Sequence, residues 1–255
     1  MEYRHIEVAR DGDFERVTMC RPERRNALSE EHLRELLHAF ETIGKGASRG
    51  AILAAEGPVF SAGHDFADMS GRDLAASERL LGVCAELMRT IQSIGQPVVA
   101  QVQALATAAG CQLVAACDLA VAAESARFQV PGGRGGLFCI TPGVALARAV
   151  GRKHALEMLL TGDPIDARTA LAWGLVNRVV PDEALERETR ELLARATRGS
   201  RQAKAIGKQS FYRQVDLERD AAYDYASRVM AEATQTPDAK EGMRAFLEKR
   251  RPRFD

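Results

Sequence analysis

The sequence predicts an α/β fold with a sheet wrapped by helices and a helical tail. Strand-length apolar runs alternate with amphipathic helical segments up to Val180. The run Pro97–Ala104 is apolar almost throughout, as in a strand covered on both faces. From Asp182 onward the pattern is almost wholly helical.

Ile6–Ala9 and Phe14–Met19 read as hairpin strands around Asp11-Gly12. Ser29 is the expected N-cap of the next helix, where Glu30 and Glu31 complement the positive end of its dipole. Leu33, Leu36, Leu37, Phe40 and Ile43 follow at helical spacing, and the helix should stop near Gly44. Ala51–Ala54 is a short apolar strand. Leu80–Ile94 reads as a helix burying Leu81, Cys84, Leu87, Met88 and Ile91, broken by Gly95-Gln96-Pro97. After the Pro97–Ala104 strand come a helix over Cys111–Cys117 and a strand over Leu119–Ala122. Gly143–Val150, Lys153–Leu160 and Ile165–Trp173 read as helices, and Leu175–Val180 as a strand stopped by Pro181. No linker or low-complexity segment suggests independent domains.

Lys plus Arg (35) balance Asp plus Glu (35), which argues against a nucleic-acid or anionic-membrane partner. The local exception is Lys249-Arg250-Arg251-Pro252-Arg253, read as a solvated helix end. No apolar stretch is long enough to span a bilayer, and no signal-peptide pattern opens the chain. The five cysteines (Cys20, Cys84, Cys111, Cys117, Cys139) show no CxxC or Cys/His spacing, so no metal site is expected. A reducing cytoplasm is their expected setting.

Two small-residue turns are the chemical signal: Phe60-Ser61-Ala62-Gly63-His64-Asp65 and Leu105-Ala106-Thr107-Ala108-Ala109-Gly110-Cys111-Gln112. Each leaves an apolar run, and each lets backbone N–H groups approach a ligand closely. Two such groups aimed at one point would polarise a carbonyl oxygen. The plainer alternative is close packing of backbone on backbone. The Gly-rich run Pro131–Gly136 lacks the Lys-Ser/Thr of a phosphate loop and the G-x-G-x-x-G register of a dinucleotide site. Ser61 lacks the G-x-S-x-G setting of a serine hydrolase.

The chain resembles the crotonase superfamily, the enoyl-CoA hydratase/isomerase family. The resemblance rests on Arg21–Leu28, Phe60–Phe66, Ala109–Asp118, Thr141–Gly143, Ala155–Gly162 and Gly174–Pro181, in the expected order. Ala108–Gln112 and Gly136–Cys139 resemble in particular its domain-containing protein 3 group. The resemblance implies a crotonase-like spiral of strand-strand-helix repeats over residues 1–195 and a C-terminal helical region over 196–255. It implies an acyl-CoA partner, with the CoA thioester as substrate and no separate cofactor, and a homotrimer or homohexamer. The implied oxyanion donors are the backbone N–H groups of His64 and Ala109. Arg25, Ala62, Asp65, Phe66 and Gly110, with His64 and Ala109, lie in segments resembling the CoA-contacting ones.

Hydration of a 2-trans-enoyl-CoA needs groups that take and return protons. Gln112 and Gly132 stand where the resemblance places the two usual glutamates. An amide orients water but cannot serve as base. His64 has suitable chemistry, but its side chain is expected to face solvent or the ligand periphery. Asp65 should turn away from the acyl chain, Cys139 should be a buried inert thiol, and Arg134 either pairs with an acidic substrate or faces water. Two readings remain open: an enoyl-CoA hydratase-class protein, or a weakly active acyl-CoA-binding or regulatory protein, including one with different thioester chemistry.

Overall fold

A computed structural model describes residues 2–254; Met1 and Asp255 lie outside the described residues. Strands β1 (Ile6–Asp11) and β2 (Phe14–Met19) form the predicted hairpin. Helix α1 spans Glu30–Lys45, and the Ser29 side chain caps it by accepting the His32 N–H. Then come β3 (Gly50–Ala55), β4 (Val59–Ser61), α2 (Phe66–Met69) and α3 (Leu74–Ser93). A third unit holds β5 (Val98–Val102), β6 (Leu105–Thr107) and α4 (Ala109–Ala116). A fourth holds β7 (Leu119–Ala123), β8 (Arg127–Gln129), a 3₁₀ turn (Pro131–Gly135), α5 (Ile140–Ala149) and α6 (Arg152–Thr161). The chain continues through β9 (Ile165–Asp166), α7 (Ala167–Trp173), β10 (Arg178–Val180) and α8 (Leu185–Ala196). Helices α9 (Arg201–Gln214), α10 (Arg219–Ala233) and α11 (Pro237–Leu247) complete it.

The strands form two sheets, ordered β1-β2-β3-β5-β7-β10 and β4-β6-β8-β9. Units two to four each place one strand in the large sheet and the next in the small one, followed by a helix. That is the strand-strand-helix spiral. From β2 to β10 every pairing in the large sheet is parallel.

Alternation along the large sheet explains its burial on both faces. Val17, Leu53, Ala100 and Ala122 enter the main core with α1 and α3. Their neighbours Ile52, Val99 and Val121 enter a second cluster closed by Leu185 and Leu193 of α8. A central parallel strand therefore exposes little polar surface, and Pro97–Ala104 reads as a mostly apolar run interrupted by Gln101 and Gln103.

Several elements differ from the sequence reading. The Pro97–Ala104 run forms β5 alone, and the start of the expected second turn is itself a strand, β6, which belongs to the other sheet. Ile165 pairs with Phe128 as strand, and Asp166 caps α7 by accepting the Thr169 N–H. Leu175 and Val176 are buried turn residues, leaving only Arg178–Val180 as strand. Helix α3 starts at Leu74 because Asp73 caps it. The Lys249–Arg253 cluster is folded back, with Arg250 paired to Glu241 at 2.6 Å.

Helix α9 is tied to the core by a buried ion pair. Lys208 Nζ lies 2.7 Å from Asp118 Oδ2 and also donates to the Ile91 and Gln96 carbonyls, each at 2.8 Å. The same Asp118 oxygen accepts the Val98 N–H.

Candidate active site

Strands β4 and β6 are parallel neighbours, so their C-terminal turns lie side by side. A Cβ built on Gly63 would lie 2.8 Å from Ala108 Cβ and 3.1 Å from the Ala109 nitrogen. Gly63 also has φ +80°, a conformation that L side chains rarely adopt. Glycine here both makes the turn and lets the two loops touch. A Cβ on Gly110 would come 2.5 Å from the Ser61 carbonyl oxygen, so α4 seats directly on β4.

The first turn is held from below by Arg21–Leu28. Asn26 is fully buried. Its Nδ2 donates to the Glu56 and Val59 carbonyls, and its Oδ1 accepts the Arg21 N–H. Ser61 Oγ donates to the Asn26 carbonyl at 2.9 Å and accepts the Gly63 N–H at 3.2 Å. The Leu28 N–H donates to Gly63 O at 2.8 Å, and the Asp65 N–H donates to Leu28 O at 3.1 Å. This bridge engages the residues on either side of His64. Backbone alternation then turns the His64 N–H to the opposite side.

Ala109 is the first residue of α4, so its N–H has no intrahelical acceptor. Gln112 is the first to return, donating to Ala108 O at 3.0 Å. Among the described residues, neither the His64 nor the Ala109 N–H finds a loop-backbone acceptor. Ala108, with φ 50° and ψ −118°, sets the turn before this donor. A non-glycine residue is strained there by about 1–3 kcal/mol and persists only where its surroundings fix it. Here the Ala108 N–H is fixed onto Gln129 O at 2.9 Å.

The remaining sequence-predicted residues divide clearly. The Asp65 carboxylate caps α2 through the Ala67 N–H and lies 3.2 Å from Arg24 and 3.9 Å from Arg21. It is committed to the protein and builds the turn. The Ala62 N–H donates to the Arg25 carbonyl at 2.9 Å, which joins those two segments. The Arg25 and Phe66 side chains are exposed beside them. Arg134 pairs with Asp163 on the surface.

His64 corrects the expectation for its side chain. Both ring nitrogens are buried without a well-aligned hydrogen bond, and the ring lies toward the Leu28 backbone and Asp68. Burial pushes its pKa below the usual histidine range, so the ring is neutral at pH 7. Gln112 is also buried, with Oε1 unpartnered. Gln112 and Thr141 line a cavity of about 810 Å³, with Met88 of α3, Val144 of α5, and Phe211 and Tyr212 of α9.

Gly132 lacks more than a carboxylate. A Cβ there would overlap the Leu137 carbonyl oxygen and lie 2.7 Å from Cys139 Sγ. The loop closes on itself, with the Leu137 N–H donating to Gly132 O at 3.0 Å. Cys139 and Leu137 thus occupy the space any side chain at 132 would need. Burial raises the Cys139 pKa, so its thiol is protonated at pH 7. This closure was invisible in sequence, because it depends on contacts between residues five and seven positions apart.

Residues 12–255 match the enoyl-CoA hydratase/isomerase family. The chain belongs to that family. It is 46% identical over 243 residues to mouse enoyl-CoA hydratase domain-containing protein 3, mitochondrial, covering 92% of this chain and 79% of the relative. It is 31% identical to a probable enoyl-CoA hydratase of Mycobacterium bovis, covering 100% of this chain and 99% of that one. Its fold superposes on the human domain-containing protein 3 with TM-score 0.94 at 40% identity, over 98% of this chain and 100% of the other. A Mycobacterium smegmatis enoyl-CoA hydratase structure gives TM-score 0.95 at 46% identity, over 98% and 99%. Within the family the chain groups with the domain-containing protein 3 relatives.

Proposed function

We propose that this protein binds an acyl-CoA thioester and holds its carbonyl oxygen between the His64 and Ala109 N–H groups. The observation that carries this reading is the convergence of two turns whose free N–H donors are built by Gly63, Ala108 and the start of α4. Thioester oxygen gains charge when an enolate forms. Fixed donors stabilise that charge with little reorganisation, each worth about 10²–10³ in rate. Arg25, Ala62 and Phe66 would meet the CoA portion. The acyl chain would enter the cavity beside Gln112, whose volume of about 810 Å³ suits a small-molecule site.

Hydration of a 2-trans-enoyl-CoA adds hydroxide at one carbon and a proton at its neighbour. Gln112 can orient water, but no carboxylate stands at 112 or 132 to move the proton. Losing each acid/base group costs about 10²–10⁴ in rate. The reading is therefore of a family member that retains thioester binding and hydrates crotonyl-CoA only very slowly. A weakly active acyl-CoA-binding or regulatory role is the second reading, favoured by the closed loop at Gly132.

Calorimetry with crotonyl-CoA and loss of its enoyl absorbance test both parts. Binding without appreciable hydration is expected. No binding contradicts the first part, and hydration at the rate of ordinary family members contradicts the second. The exposed apolar residues Ile140, Leu160, Phe211, Phe246 and Leu247 support assembly as a homotrimer or homohexamer. Light scattering would test that, and a monomer at micromolar concentration would refute it. Five free thiols favour a reducing compartment such as the cytoplasm; fractionation of the tagged full chain would place it.

A further inference from the structure

We infer that His32 is a positioning residue for the His64 N–H donor. It acts through a line of two peptide groups that runs from its imidazole to the thioester site. The inference rests on the acyl-CoA reading above and adds a residue to that site.

The line can be followed bond by bond. His32 Nδ1 lies 3.1 Å from the Ala27 carbonyl oxygen. A carbonyl only accepts, so Nδ1 carries the proton and Nε2 is bare. That carbonyl belongs to the same peptide group as the Leu28 N–H, which donates to Gly63 O at 2.8 Å. The Gly63 carbonyl in turn shares its peptide group with the His64 N–H. The peptide bonds of the described residues are trans, so in each group the N–H and the C=O point in opposite directions. The Leu28 N–H can therefore reach Gly63 only while the Ala27 carbonyl faces away from it, towards His32. The Gly63 carbonyl, held by Leu28, turns the His64 N–H the other way, into the site. Bonds joined head to tail in this manner strengthen one another by about 10–30% each. The last N–H is thus both aimed and polarised as a donor.

This bond explains a histidine in the core. His32 is fully buried, on the α1 face that carries Leu33, Leu36 and Phe40 into the main core. Its Nε2 finds no partner among the described residues. A buried polar atom left unpaired is unfavourable, and an apolar side chain would avoid it. What the histidine supplies, and a leucine could not, is the Nδ1 donor to Ala27. Burial lowers its pKa to about 4, so the ring is neutral at pH 7 and keeps one donor and one bare nitrogen. The carbonyls of Arg25, Asn26 and Leu28 already accept from the first turn, through the Ala62 N–H, the Ser61 hydroxyl and the Asp65 N–H. His32 therefore fixes the carbonyl between them that the turn leaves free.

The test compares crotonyl-CoA with S-butyl-CoA, a thioether that lacks the carbonyl, by calorimetry on the full chain and on His32→Leu and His32→Asn. Leucine removes the donor, whereas the asparagine amide offers an N–H near the place of Nδ1. His32→Leu should weaken crotonyl-CoA binding about three-fold or more while changing S-butyl-CoA binding less than about two-fold. His32→Asn should recover most of that loss. A side chain that merely staples the start of α1 would shift both ligands alike. That result, an unchanged crotonyl-CoA affinity, or an equal loss in both variants would overturn the inference while leaving the acyl-CoA reading standing. Failure of the parent to bind either ligand would overturn both. Should His32→Leu not fold, ¹⁵N spectra of the parent imidazoles at pH 7 decide: a protonated Nδ1 with a bare Nε2 is expected for His32, and the opposite tautomer would overturn the inference.

Discussion

Restoring a carboxylate at position 132 should fail for a steric reason that a smaller substitution exposes. A Cβ at 132 overlaps Leu137 O and sits 2.7 Å from Cys139 Sγ, and one of those neighbours is backbone. Ordinary carbon–sulfur and carbon–oxygen contacts need well over 3 Å, so Leu137–Cys139 must shift. Overpacking that moves backbone costs about 1–3 kcal/mol, and two simultaneous overlaps place Gly132→Ala near the top, at about 3 kcal/mol. For a chain of this size that lowers Tm by roughly 6–12 °C. Gly132→Glu should be no more stable than Gly132→Ala, since both carry the same Cβ. Urea unfolding with a fixed m-value reads the difference directly. Gln112→Glu/Gly132→Glu should accordingly gain little crotonyl-CoA hydration. Gly132→Ala within about 0.5 kcal/mol of the parent would refute the reasoning, and the loop would then be a mere gap where a side chain fits.

Three further outcomes follow from the same geometry. His32 is fully buried, and burial lowers its pKa to about 4; between pH 6.5 and 4 the unfolded chain binds its proton first, so stability falls with pH by roughly 3 kcal/mol and then levels off. Thermal scans across that range should show this slope, and His32→Gln should flatten it. Lys208→Met leaves Asp118 buried and unpaired and should cost about 3–5 kcal/mol, with Asp118→Asn/Lys208→Met recovering part of it; a loss under 1 kcal/mol in the single variant would contradict the buried-pair account. Ala108→Gly should relieve strain of about 1–3 kcal/mol against about 0.4–1 kcal/mol of added unfolded-chain freedom, for a net stabilisation seen in urea; a loss above 1 kcal/mol would show that Ala108 is not strained.

The regular elements were legible where local chemistry decides them. Ser29 caps α1 because its oxygen is the nearest acceptor for an orphan N–H, and sequence contains that fact. The apolar period of α1 and α3 survives because each buries one face on the sheet. The strands β4, β6 and β8 were not legible, since three residues carry no period and their pairing partners lie more than twenty residues away. The closeness of the two turns could be read from their small residues, and the proposed roles of the His64 and Ala109 N–H groups come from the family resemblance. The buried ring of His64 could not be read, because burial of one side chain depends on distant segments that meet only in the fold. Gly132 was read as a missing carboxylate, whereas the folded loop leaves no volume there for a side chain.

The central claim is that two backbone N–H groups hold and polarise a thioester carbonyl while proton transfer is missing. The direct measurement is the ¹³C NMR shift of crotonyl-CoA labelled at its carbonyl carbon, bound to the full chain. Slow hydration would keep the ligand intact during the experiment. The account predicts a downfield carbonyl resonance relative to free ligand, persisting in His64→Ala because that variant keeps the backbone donor. A bound thioester with an unshifted carbonyl would contradict it.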